Sequence, residues 1–212
     1  MKTLDRRQID PLWEWFSQVS DLLIDETDGQ MAKLFERDLR RIHHGLRWEI
    51  RHGMSKSRQL TISPNLNPEL RAVAQEVVFA APRLAHWDFC SLRQPKEWDY
   101  RLLVRKFDVA PLEIDASQWN FALLRSSTGK HQVLLSGENV RPLRRSQRWK
   151  VAGDALVNIL GEEMVLDALD GFELVRRLPS LIAAQAKPIS LLRETIMATP
   201  VGNCLESGVQ YV

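Results

Sequence analysis

The sequence predicts an α+β fold: a mainly antiparallel β-sheet with ferredoxin-like elements and helices on one face, preceded by an N-terminal α-helical hairpin. Three observations predict it. Apolar residues recur at helical spacing as far as Ile42, the period drops to two directly after Gly45, and strand-like runs joined by short turns then outnumber crossovers.

The helical hairpin comes first. Asp10-Pro11 reads as a helix start, because aspartate accepts from free first-turn amides and proline there loses no hydrogen bond. Leu12, Trp15, Phe16, Val19, Leu22 and Leu23 then form one apolar stripe, ending near Ile24. Met31, Leu34, Phe35, Leu39 and Ile42 form a second stripe, with Glu36 and Arg40 spaced to pair across a turn. Gly45 is expected to end this helix in the left-handed conformation.

Beyond it Leu46, Trp48 and Ile50 alternate with Arg47, Glu49 and Arg51, a strand with one buried face, and LTIS at 60–63 follows as its hairpin partner. SPNLNPEL supplies turn residues and opens a helix through Leu70, Val73, Ala74, Val77, Val78 and Ala81, closed by Pro82. WDFCSLRQP reads as a strand, residues 96–111 show little pattern beyond a possible short strand at RLLVRKF, and WNFALLRS and HQVLLSG flank STGK as a hairpin. Gly129 is expected to take positive φ there. A single long helix is predicted from about Trp149 to Leu169, then FELVRRL as the last strand and ISLLRETIM as a terminal helix. The expected divisions are a hairpin over 1–44 packed on the main domain, a sheet domain over 45–178, and a C-terminal helix and tail over 179–212.

Composition narrows the function classes. A chain of 212 residues with 44% apolar content can bury a proper core. Its 29 basic and 27 acidic residues leave a net charge of +2, without the bias of a dedicated nucleic-acid binder. Cys90 and Cys204 show neither disulfide nor zinc spacing. The start MKTLDRRQID lacks an apolar run, and nowhere do eighteen apolar residues stand together, so a cytoplasmic protein with no membrane span is expected. No cofactor and no metal are expected.

Several motifs resemble an uncharacterised family of bacterial proteins over nearly the whole chain. They are Trp13-Glu14-Trp15-Phe16, Gly45-Leu46-Arg47-Trp48-Glu49, Leu60-Thr61-Ile62-Ser63-Pro64-Asn65, Ala81-Pro82 followed by Trp87-Asp88-Phe89, and Leu160-Gly161-Glu162. The element order is also remotely similar to the ferredoxin-like regulator of ribonuclease activity B. The resemblance implies the α+β fold and a bacterial setting; the family has no assigned reaction, so no catalytic residue carries over. The family pattern has glycine where this chain has Leu66.

Four constellations carry possible chemistry. Of the tryptophans, Trp15, Trp48 and Trp87 sit in phase with apolar stripes, whereas Trp13, Trp98 and Trp149 do not and are the candidates for binding a partner, expected to be another protein. Arg141, Arg144, Arg145, Arg148 and Lys150 form a basic run without an acid, while residues 151–175 hold six acids and no base. That order opposes the helix dipole; either the two blocks are solvated or pair with other parts of the fold, or the basic one serves a phosphate or an acidic partner, RNA being the alternative to protein. Asp154, Asn158 and Glu162 recur every four residues and would line one helix face, as an enzyme or metal site requires. His43, His44 and His52 fall on a helix end and a turn and are read as solvated. Cys90 with His86 and Asp88 could share a strand face, yet nothing local activates a thiolate, and the enzyme signatures of phosphate loops, nucleophile elbows and metalloprotease helices are missing. A non-catalytic binding protein is the expectation.

Overall fold

The computed structural model describes residues 6–21, 29–53, 55–106 and 109–199. Contacts divide the chain into two compact units, Met1–Arg93 and Gln94–Val212. The sequence reading drew its divisions after residues 44 and 178 instead. The helical pair belongs with the first three strands because all of them bury their side chains in one core.

In the first unit, α1 (Arg6–Val19) buries Ile9, Leu12, Trp13 and Phe16, and α2 (Gly29–Ile42) buries Phe35, Leu39 and Ile42. Pro11 therefore lies inside α1 rather than opening it. Ile9 shares the face of Leu12, Trp13 and Phe16, and its burial draws the helix back by a turn. Residues 22–28, on which the predicted end of this helix falls, lie outside the described set. On the wet side of α2 the expected pair forms, Arg40 Nε donating to Glu36 at 2.6 Å, and the other Glu36 oxygen accepts from Trp48 Nε1 at 2.7 Å.

The switch of period after Gly45 is real. β1 (Arg47–His52) pairs antiparallel with β2 (Arg58–Ser63), placing Trp48 opposite Ile62 and Ile50 opposite Leu60. Gly45 itself is not left-handed; the positive-φ glycines among the described residues are Gly129 and Gly161. Close approach explains it better: a Cβ at Gly45 would meet Leu70 Cδ1 at 2.6 Å, and its amide donates to His43 Nδ1 at 3.0 Å. Among the described residues of this unit the left-handed ones are Asn65 (φ 55°) and Leu66 (φ 61°), in the turn leading to α3 (Arg71–Phe79). Leu66 thus occupies a conformation that favours glycine.

β3 (Trp87–Cys90) returns beside β2 and runs parallel to it, with Leu60 opposite Phe89. A parallel neighbour requires a crossover, which α3 provides. Phe16 sits in the middle of the core, edge-to-face with Trp87 at 5.0 Å and with Trp13 at 5.7 Å. Trp13 also donates from Nε1 to the Val77 carbonyl at 2.8 Å.

The second unit holds two sheets. β4 (Arg101–Lys106) and β5 (Val109–Asp115) form an antiparallel pair, so the poorly patterned stretch does contain strands. The other sheet contains β6 (Asn120–Arg125), β7 (His131–Ser136), β8 (Leu169–Val175) and the short β9 (Lys187–Pro188), in the order β8-β7-β6-β9. The β6–β7 hairpin turns through Gly129 at φ 82°, as expected. β7 and β8 are parallel, joined by α4 (Arg145–Leu160) and α5 (Glu162–Ala168). The one long helix predicted here is two, because Gly161, at φ 83° and ψ 153°, leaves the helical region and closes α4. Short α6 (Ser180–Ala183) and α7 (Leu192–Ala198) follow β8, and α4 packs against β8, β4, α5 and α7. Its buried Val151, Ala152, Ala155, Leu156 and Leu160 join Trp119, Phe121, Val133 and Leu135 among the core residues of this unit.

The α+β class with mainly antiparallel pairing holds, with the strands divided among three sheets instead of one. No helix among the described residues is long and apolar enough to cross a membrane.

Candidate functional site

The first two turns of α4 hold Arg145, Arg148, Trp149 and Lys150. The helix starts where Gln147 Oε1 accepts the Arg144 amide at 2.9 Å, and Leu143, 4% exposed, anchors the entering chain. From Val151 onward α4 is buried on most sides, so only its first turns stand in solvent. They present Arg145, Arg148 and Trp149 within about 100° of one another around the axis.

Trp149 is 51% exposed and stacks on Phe172 of β8, with ring centroids 5.6 Å apart and planes 26° from parallel. Arg148 Nε donates to the Leu143 carbonyl at 3.1 Å, which binds its stem to the cap. Lys150 is spent on Asp154, at 2.6 Å across one helical turn. Arg141, Arg144 and Arg145 are exposed, and among the described residues no carboxylate pairs with them. Arg144 and Arg145 stand where the helix dipole is positive and no acid occupies the first turn, each a local cost of about 0.3–1 kcal/mol. The helix begins at Arg145 and not near Trp149, so Arg145, Arg148 and Lys150, expected ahead of it, lie in its first two turns together with that tryptophan.

The other two tryptophans do not join them. Trp13, expected on a partner surface, is 4% exposed in the first unit's core, because Ile9, Leu12, Trp13 and Phe16 together make up the buried face of α1. Trp98 is half-buried in the segment before β4, tilted against Tyr100 with centroids 5.1 Å apart.

The proposed carboxylate line is broken. Asp154 pairs with Lys150, and Glu162 lies beyond the Gly161 break, fully buried at the start of α5. A small hollow beside β4 is lined by Asp154 together with Gln147, Lys150 and Val151, and neither Asn158 nor Glu162 reaches it. Among the described residues no three of His, Cys, Asp and Glu are placed to hold a metal ion. His43 and His44 stack on each other at the end of α2, 4.7 Å between centroids, and His52 ends β1.

Cys90 gains no activation. Burial pushes its thiol up, Arg51 opposing, so the neutral form dominates at neutral pH. Asp88 is occupied otherwise: its carboxylate accepts from the Ser55 hydroxyl at 2.8 Å and from the Ser55 and Lys56 amides, pinning the β1–β2 turn. Those bonds hold Asp88 below the usual carboxylate range. His86, exposed, precedes the strand.

Sequence reasoning missed Phe172 as the tryptophan's partner, since FELV read only as a strand and nothing in it told which helix it would lie under. It missed also the pair Arg176 and Arg177, which leave β8 together and both meet Glu138. Two arginines directly after a strand were the available signal. No family model, no curated protein and no solved structure matches this chain, so the meaning of these surfaces rests on their own geometry.

Proposed function

We propose that this chain is a non-catalytic bacterial cytoplasmic protein that binds another protein, and that the start of α4 is the contact. The observation that carries this reading is a half-exposed Trp149, backed by Phe172, on a helix start that holds Arg144 and Arg145 with Arg141 ahead of them, none of the three having an acidic partner among the described residues. Tryptophan and arginine are the residues that most often dominate protein interfaces, and a stacked ring is held in place before binding. Charges kept at a helix start that they destabilise are explained by a partner that supplies the missing acids.

A protein partner with an acidic patch fits better than RNA. The whole chain carries only +2, which offers little long-range attraction for a phosphate backbone. One face of Trp149 is already taken by Phe172, leaving a narrow stacking platform. The test is a capture from bacterial lysate with the wild-type chain, Trp149→Ala and Arg144→Gln/Arg145→Gln, with and without nuclease. Support is a stoichiometric, nuclease-resistant protein that both variants lose and that salt releases. Loss of the captured material on nuclease treatment would replace this reading with RNA association, and equal capture by all three proteins would end it.

A further inference from the structure

The second unit holds a cleft of about 670 Å³ at the carboxyl ends of the parallel strands β7 and β8, a size suited to a small molecule. Arg176 and Arg177 follow β8 and each turns its Nε–H onto a different oxygen of Glu138, both at 2.5 Å. The carboxylate thereby fixes two guanidinium groups while leaving all four of their terminal nitrogens without a partner among the described residues. Leu178, Ala183 and Ala186 add apolar surface to the lining.

The floor is rigid. Trp119, 1% exposed, donates from Nε1 to Asn139 at 2.9 Å, and Asn139 in turn donates to the Asp115 carbonyl at 2.6 Å. Gly137 packs so tightly here that a Cβ would lie 2.3 Å from Trp119 Cδ1. Its φ of −165° is ordinary, so close approach and not backbone freedom calls for glycine. A site with fixed donors and a fixed floor loses little freedom when a ligand arrives.

We propose that this cleft binds a small organic monocarboxylate, its carboxylate taken by the terminal nitrogens of Arg176 and Arg177 and its apolar body laid on Leu178, Ala183 and Ala186. Charge decides the class. Two guanidinium groups face two carboxylates of the lining, Glu138 and Asp115; the latter accepts the Ser117 amide at 2.8 Å and lies opposite an Arg101 that itself pairs with Glu113 at 2.8 Å, so the cleft holds no surplus of positive charge for a dianion. A monoanion meets the open terminal nitrogens while bringing a single negative charge near Asp115, whereas a phosphate dianion brings two. The planar forks of two arginines also match carboxylate geometry.

The experiment is a titration of the isotopically labelled full chain with sodium benzoate, followed through the arginine Nε–H and tryptophan indole N–H signals. Benzamide and inorganic phosphate serve as the comparison ligands. Saturable shifts of the Arg176, Arg177 and Trp119 signals by benzoate in the low millimolar range are expected, with benzamide inert and phosphate at least several-fold weaker. Arg177→Gln, a substitution at an exposed side chain, is expected to weaken benzoate binding about tenfold while the remaining signals stay in place. Absence of saturable shifts, equal binding of benzamide, tighter binding of phosphate, or unchanged affinity of the Arg177→Gln protein each overturns the proposal.

Discussion

Trp149 stacks on Phe172 across the start of α4 and the middle of β8, and half of the tryptophan surface stays open to water. Helix and strand are thus clasped at the point where the chain's arginines gather. Replacing Trp149 by alanine removes an aromatic pair worth about 0.5–1.5 kcal/mol and some half-buried area, so a stability loss of about 1–2 kcal/mol is expected. Urea unfolding checks this, and the same protein is expected to lose the captured partner. A loss above 4 kcal/mol would show that the ring is principally a structural pin.

Trp13 is the contrast. It is 4% exposed, edge-to-face with Phe89 at 5.1 Å, and its Nε1–H satisfies the Val77 carbonyl. Trp13→Phe keeps most of the ring yet leaves a buried carbonyl unpaired, at a cost of about 1–3 kcal/mol. Thermal unfolding measures that cost, and partner capture by the folded variant is expected to match wild type.

Arg145 opens a helix whose first turn holds no acid. Arg145→Glu turns an unfavourable dipole contact into a favourable one, and a gain of roughly 0.5–1 kcal/mol in denaturant unfolding is expected. Partner binding is expected to fall at the same time. A variant that gains stability and keeps full binding would separate this charge from function.

Leu66, at φ 61°, adopts a conformation that costs a non-glycine residue about 1–2 kcal/mol. Glycine removes that strain but adds freedom to the unfolded chain, so Leu66→Gly is expected to change stability by less than about 1 kcal/mol, in the stabilising direction. Leu66→Val, branched at Cβ, is expected to destabilise. Melting curves of the two variants side by side decide it; a Leu66→Gly protein that melts well below wild type would mean that the leucine side chain outweighs its backbone.

Asp88 sets an acid limit on the first unit. Three hydrogen bonds from Ser55 and Lys56 hold its carboxyl below the usual range, the Ser55 hydroxyl contributing most. A carboxylate depressed in the folded state contributes stability fully above its unfolded value, about 3.9, and loses it as pH falls through the folded value. Stability measured from pH 6 downward is therefore expected to drop below about pH 4, with a shallower drop in Asp88→Asn. Identical curves for the two proteins would refute the assignment.

Sequence by itself determined the elements whose cause is local. The alternation after Gly45 made a strand because a period of two puts Trp48 and Ile50 on one face, and STGK made a hairpin because Gly129 accepts positive φ. The basic run before Trp149 was legible too, as a charge pattern that helix physics disfavours. Periodicity failed at Trp13 and at Gly161. Both needed knowledge of what lay opposite: the aromatic core that takes in Trp13, and the backbone turn that detaches Glu162 from Asp154 and Asn158. Tertiary structure alone decided which side chains meet across long separations. Phe172 under Trp149 and Glu138 between Arg176 and Arg177 are products of the parallel β7–β8 crossover, and no spacing rule along the chain encodes a contact that a crossover makes.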